Sequence, residues 1–158
     1  MPSTNAPHIP VLLEEVCEAF SDIKPGYFVD CTLGYGGHSS HINERFSDKV
    51  KLIGIDRDDE ALKFSSKRLG KNITTYKGSF SKVFPTLKER PITGVLADFG
   101  VSSLQLDKKE RGFSFESDNL DMRMDQNQSL SAQDVINSYA KLELEKIFKE
   151  YGGSETNT

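Results

Sequence analysis

Three apolar runs in this chain each end in an aspartate and open into small or polar residues. Tyr27–Asp30 leads into Asp30-Cys-Thr-Leu-Gly-Tyr-Gly-Gly-His38. Leu52–Asp56 leads into Arg57-Asp58, and Gly94–Asp98 into Asp98-Phe-Gly-Val-Ser-Ser-Leu-Gln-Leu-Asp107. Short apolar runs of this kind suit strands buried on both faces of a parallel sheet. In such a sheet the carboxyl ends of the strands border the ligand crevice. The three loops are therefore expected to meet at one edge of an α/β fold.

The segments between the runs fit that reading. Pro10 suits a first helical turn and opens a pattern that places Leu12, Val16, Ala19, Phe20 and Ile23 on one face, ended by Lys24-Pro25-Gly26. A helix is expected around Ser39–Phe46. Another is expected over Asp59–Leu69, with Ala61, Leu62, Ser65 and Leu69 inward and Gly70 as its stop. Ile73–Lys77 reads as a third strand whose Thr-rich middle suits a sheet margin. Phe80–Arg90 has helical spacing that Pro85 shortens or kinks. The alternation predicts a parallel sheet with right-handed crossovers. From Val101 to Gln128 the pattern is loop-like. Ser131-Ala-Gln-Asp134 then resembles a capping box, and Leu144, Ile147, Phe148 and Tyr151 mark a last amphipathic helix ending at Gly152-Gly153. The tail is expected to fray.

At 158 residues, with 36% hydrophobic and 28% charged content, the chain suits one soluble domain with a core. A net charge of −4 argues against holding nucleic acid by an overall field, though not against a local basic patch. Cys17 and Cys31 form no metal-binding or disulfide pattern, so no metal is expected. No stretch has signal-peptide or bilayer-spanning character, which points to a cytoplasmic protein.

The loop Gly34-Tyr-Gly-Gly37 has neither the spacing of a dinucleotide fingerprint nor the Gly-Lys-Ser/Thr of a phosphate loop. Its glycines still allow close approach to a ligand. Asp56 lies twenty positions after Gly36, a spacing suited to a carboxylate reaching ribose hydroxyls. S-adenosyl-L-methionine fits this set better than NAD, because it carries no pyrophosphate, and Asp30 offers it a nearby carboxylate. His38 sits where a helix begins and reads as a backbone contact. Asp98 is either a turn cap or a group accepting a hydrogen bond from an amine being alkylated. Ser102 and Ser103 read as loop structure. Lys108-Lys109-Glu110-Arg111 and Arg123, near Phe113 and Phe115, read either as solvated surface or as a site for single-stranded RNA.

Seven segments occur in order: His8-x-Pro10-Val-Leu-Leu-x-Glu15, Asp30-x-Thr-x-Gly34-x-Gly-Gly-His-Ser39, Gly54-Ile-Asp-Arg-Asp58, Gly100-Val-Ser-Ser103, Gln105-Leu-Asp107, Arg111-Gly-Phe-Ser-Phe115 and Leu120-Asp-Met-Arg-Met-Asp125. Together they closely resemble the RsmH (MraW) family of bacterial 16S ribosomal RNA (cytosine-N4) methyltransferases. The resemblance implies a Rossmann-like class I methyltransferase fold with sheet order 3-2-1-4. It also implies methylation of a cytosine in the decoding region of 16S ribosomal RNA, within the small subunit, using S-adenosyl-L-methionine. Cofactor contacts are implied at Gly36, Gly37, His38, Asp56, Phe80, Asp98 and Gln105, with Asp98 also at the chemistry. Phe99 stands where the family commonly has Leu, and Leu104 where it commonly has Pro.

Family members continue past this point, so the resemblance implies a cofactor-binding α/β part over 1–128, the start of a helical insertion over 129–152, and a disordered tail over 153–158. Strand four, with Val95, Leu96 and Ala97 reading as buried centre, would then be an uncovered edge, and a homo-oligomer is expected. Two rival readings are a cofactor-binding fragment without catalysis and a small-molecule or DNA methyltransferase. The segment 111–125 does not suit the second.

Overall fold

The computed structural model describes residues 10–153; His8 and the expected frayed tail beyond Gly153 lie outside them. Four parallel strands form one sheet in the order β3-β2-β1-β4: β1 Gly26–Asp30, β2 Val50–Asp56, β3 Ile73–Lys77 and β4 Ile92–Leu96. Helix α1 (Leu13–Ala19) precedes the sheet, α2 (Gly37–Phe46) joins β1 to β2, and α3 (Asp59–Leu69) joins β2 to β3. A single turn, α4 (Phe80–Val83), follows β3 and gives way at Pro85 to a 3-10 turn. This is the Rossmann-like order expected, with the Thr-rich third strand at the margin. Among the described residues no helix is long and apolar enough to cross a membrane.

Alternating residues of β1 and β2 point to opposite faces, as the strand period requires. Phe28 and Leu52 join Cys17, Ile23, Ile42 and Phe46 in one cluster, while Val29, Ile53 and Ile55 join Cys31 and Leu87 in the other. Both central strands are thereby buried on two sides. Glycine lets the layers close: a Cβ on Gly54 would come within 2.5 Å of Leu33, and one on Gly94 within 2.6 Å of the Phe28 ring. Helix α3 has the bounds its sequence predicts, with Asp58 capping its start through the Glu60 N–H and the expected inward residues buried.

Three expectations need correction. The first helix starts at Leu13 rather than Pro10, and Leu12 is 62% exposed in a left-handed conformation. The Pro10 ring packs where Gly37 lacks a Cβ, and the Val11 carbonyl is held by His38, so the chain turns before it winds. The second helix begins at Gly37, two residues before the expected Ser39, with Gly36 as its left-handed cap. Strand four runs Ile92–Leu96 rather than Gly94–Asp98. The Cys31 N–H donates to the Leu96 carbonyl, after which the chain leaves the sheet. On that margin Val95 is 45% exposed, Leu96 is half-buried and Ala97 is exposed. Among the described residues the strand pairs only with β1, so its outer backbone edge is unpaired within the sheet.

By packing, the chain divides after Leu104. The unit from Gln105 onward contains most of α5 (Ser103–Asp107), and then α6 (Ala132–Ser138) and α7 (Lys141–Tyr151). Ser131 and Asp134 form the predicted capping box of α6. The loop before it is built around buried Arg111, whose guanidinium donates to the carbonyls of Arg123 and Met124. The Met122 N–H returns to the Arg111 carbonyl, and the Asp121 carboxylate holds Arg123 through three hydrogen bonds, from its backbone N–H at 3.0 Å and its guanidinium at 2.9 and 2.6 Å. The two motifs 111–115 and 120–125 are thus one interlocked piece of structure.

Candidate functional site

The carboxyl ends of β1 and β4 lie level, and β2 runs two residues further, to Asp56. Asp30 is in register with Gly54 on one side and Leu96 on the other. The loop after β1 is the hub. Asp30 is 2% exposed, and its carboxylate accepts from the Ser39 hydroxyl at 2.7 Å and the Thr32 N–H at 3.2 Å. Burial pushes its pKa up to about 6, against the lowering effect of those two bonds. Asp30 is thus turned into the protein, organising the loop.

Thr32 carries the loop across to β4, its hydroxyl oxygen accepting from the Asp98 N–H at 2.7 Å. Leu33 and Gly34 carry it across to β2. The Leu33 N–H donates to the Ile55 carbonyl, and the Gly34 N–H to Asp56 Oδ2 at 2.7 Å. The other Asp56 oxygen accepts from the Asp58 N–H at 2.9 Å. Burial raises the Asp56 pKa, and the hydrogen bonds from Asp58 and Gly34 partly counter it. Asp56 remains half-exposed, so its carboxylate still reaches the outside of the loop.

The glycines have different reasons. Gly36 takes φ 71°, and a Cβ there would press on Leu69 and Ser65 of α3, while Gly37 makes room for Pro10. Gly34 is different: a Cβ would meet nothing closer than the Thr32 carbonyl at 3.9 Å, so its surroundings are open. At the start of α2 the Gly37, His38 and Ser39 N–H groups precede the first intrahelical donor and present a positive helix end. His38 is buried with its Nε2 hydrogen-bonded to the Val11 carbonyl at 2.9 Å, so its backbone rather than its ring faces outward chemistry.

Phe80 opens α4 beyond β3 and packs half-buried against the Ile53 and Ile55 face of the sheet. Its ring lies 5.8 Å from that of Phe99, which follows Asp98. Asp98 itself is exposed, held by its backbone and not by its carboxylate. The structure thus brings Gly36, Gly37, His38, Asp56, Phe80 and Asp98 into the loops of one sheet edge. Gln105, buried, belongs to the second unit. Sequence reasoning missed the role of Thr32. Its signal was a hydroxyl residue two positions after a strand-ending aspartate, where a side chain can bridge to a neighbouring strand.

Comparison with known proteins agrees with this architecture. Residues 5–157 match the MraW methylase family. The ribosomal RNA small subunit methyltransferase H of Sulfurovum sp. is 66% identical over 92% of this chain and 48% of its own length. Its counterpart in Aliarcobacter butzleri is 58% identical over 92% of this chain and 49% of its own, and that of Campylobacter jejuni 53% over 92% and 48%. The chain spans about half the length of the curated relatives it matches. With nearly every residue inside the family match, the chain belongs to the MraW methylase family.

Proposed function

We propose that this chain forms the cofactor-binding part of a cytoplasmic enzyme that methylates the N4 amine of a cytosine in the decoding region of 16S ribosomal RNA, within the small subunit, using S-adenosyl-L-methionine. The observation that carries the reading is the lacing of three strand-end loops through Asp30, Thr32, Gly34 and Asp56, which leaves an open floor beside Gly34. The names of the relatives support the substrate class.

The residues present fit such a cofactor. Its methionine carboxylate would suit the N–H groups of Gly37 and His38 at the start of α2, with Gly36 setting the turn, and its ribose would suit the half-exposed carboxylate of Asp56. Phe80 and Gln105 complete the binding set. The cofactor supplies an electrophilic methyl group on a sulfonium. Exposed Asp98 accepts a hydrogen bond from the cytosine amine and aims its nitrogen. That lone pair is delocalised into the ring, so positioning carries much of the effect. Residues 1–128 serve the cofactor and 129–152 begin a helical insertion.

Small ribosomal subunits incubated with the chain and methyl-labelled cofactor are expected to gain N4-methylcytosine, identified by mass spectrometry of the digested RNA. Label on another base, or NAD binding as tightly as S-adenosyl-L-methionine in calorimetry, overturns the reading. A second reading, cofactor binding without transfer, draws on the half-length match to the relatives and the uncovered β4. Calorimetric binding with no label incorporated is its signature.

A further inference from the structure

Phe99 is 75% exposed, yet it is not a solitary surface aromatic. Its ring sits 5.8 Å from Phe80 at a tilt of 42°, and Phe80 is in turn anchored on the buried face made by Ile53 and Ile55. The backbone beneath is also fixed, because the Asp98 N–H is held by Thr32. Beyond it, Gly100 has open space wherever a Cβ would point. A phenyl ring is thus mounted on a rigid support with one broad side turned to water. That much exposed apolar surface forfeits the gain of burial, and its place is the rim of the candidate site rather than a remote loop.

We infer that Phe99 is the stacking platform for the purine of the cofactor and so a determinant of nucleoside affinity. The inference rests on the cofactor reading above. Asp56 ends β2, and Phe80 hangs from the next strand outward, β3. A nucleoside whose ribose is held by Asp56 therefore directs its base toward the Phe80–Phe99 pair. Ring centroids 5.8 Å apart leave no room for a base between them, since stacked planes need roughly 3.5 Å on each side. The base packs instead on the open side of Phe99, with Phe80 as backing. Phe99 makes the stacking contact, while Phe80 supports that ring and meets the nucleoside at its edge.

The chain contains no tryptophan, so Phe99→Trp introduces a single indole at the platform. Titration with S-adenosylhomocysteine is expected to quench and shift its emission, whereas methionine, which lacks the base, leaves it unchanged. In calorimetry Phe99→Ala is expected to bind S-adenosylhomocysteine about tenfold or more weakly, the scale of one lost base–aromatic stack, with Phe99→Leu in between. Circular dichroism melting of the variants checks that the exposed position leaves the fold intact. Unmoved indole emission together with unchanged Phe99→Ala affinity, while the parent chain binds, overturns the platform and leaves the cofactor reading standing. Failure of the parent chain to bind S-adenosylhomocysteine at all overturns both.

Discussion

The Gly34 N–H donates to Asp56 Oδ2 at 2.7 Å, joining the loop after β1 to the end of β2 across 22 positions of sequence. The bond means that Asp56 shapes the loop besides being the proposed ribose contact. Asp56→Ala is expected to weaken S-adenosyl-L-methionine binding by roughly 1.5–3 kcal/mol, the scale for a charged hydrogen-bond acceptor. Asp56→Asn should recover only part of this, because its amide would set a donor against a donor at one of the two N–H groups. Unchanged calorimetric affinity in Asp56→Ala would remove the residue from the site.

Thr32 is expected to couple the two sides of the site. Thr32→Val keeps the shape and removes the acceptor for the Asp98 N–H, at a cost of about 1 kcal/mol. The Asp98 amide should then exchange with solvent several-fold faster, and cofactor affinity should fall, while Thr32→Ser restores both. Equal exchange rates in the parent and Thr32→Val would show that the tie does not order the loop.

Asp30 gives the fold a pH dependence of unusual sign. Its pKa is raised by burial from 3.8 to about 6, so between those values the folded chain binds more protons than the unfolded one. The stabilisation is full below pH 3.8 and is lost as pH rises through about 6. Asp30→Asn keeps an acceptor for the Thr32 N–H and can donate to the Ser39 hydroxyl. It is expected to raise stability above pH 6 by on the order of 1–3 kcal/mol, with the gain vanishing below pH 4. Denaturant melts at pH 4 and pH 8 test this, and a variant equally destabilised at both would contradict it.

Strand β4 is expected to make the isolated chain self-associate. Its outer backbone edge is unpaired within the sheet, and Val95 on it is 45% exposed with no charged neighbour on the strand. Val95→Lys should shift light scattering toward a monomer and leave the melting curve within about 0.5 kcal/mol of the parent. Leu144, Ile147 and Phe148 on α7 form the second surface expected to be buried in such a contact. A monodisperse monomer in the parent chain would defeat the expectation.

The elements were legible where the cause is local. Asp58 and Gly70 bracket α3, Ser131 and Asp134 cap α6, and Pro85 stops α4, because each acts through atoms within a turn of itself. The central strands were legible too, since burial on two faces demands apolar residues at every position of a short run. The ends of strand four and of the first helix were not. They depend on the Leu96 carbonyl meeting Cys31 and on Pro10 meeting Gly37, partners far away in sequence.

The same division holds at the site. The residue order alone determined that three strands, each ending at or just before an aspartate, would open toward one edge, because parallel strands all point the same way. Only the tertiary structure decided what each aspartate does there. Asp30 turns inward to Ser39 and Thr32, Asp56 binds the loop yet stays half-exposed, and Asp98 is held by its backbone with its carboxylate exposed. An aspartate's role depends on which partner packs beside it: donors reach the Asp30 and Asp56 carboxylates from positions 2, 9 and 22 residues away, and the acceptor for the Asp98 N–H lies 66 residues away. Chain pattern carries the direction of a strand, whereas the partner of a side chain exists only once the strands have packed.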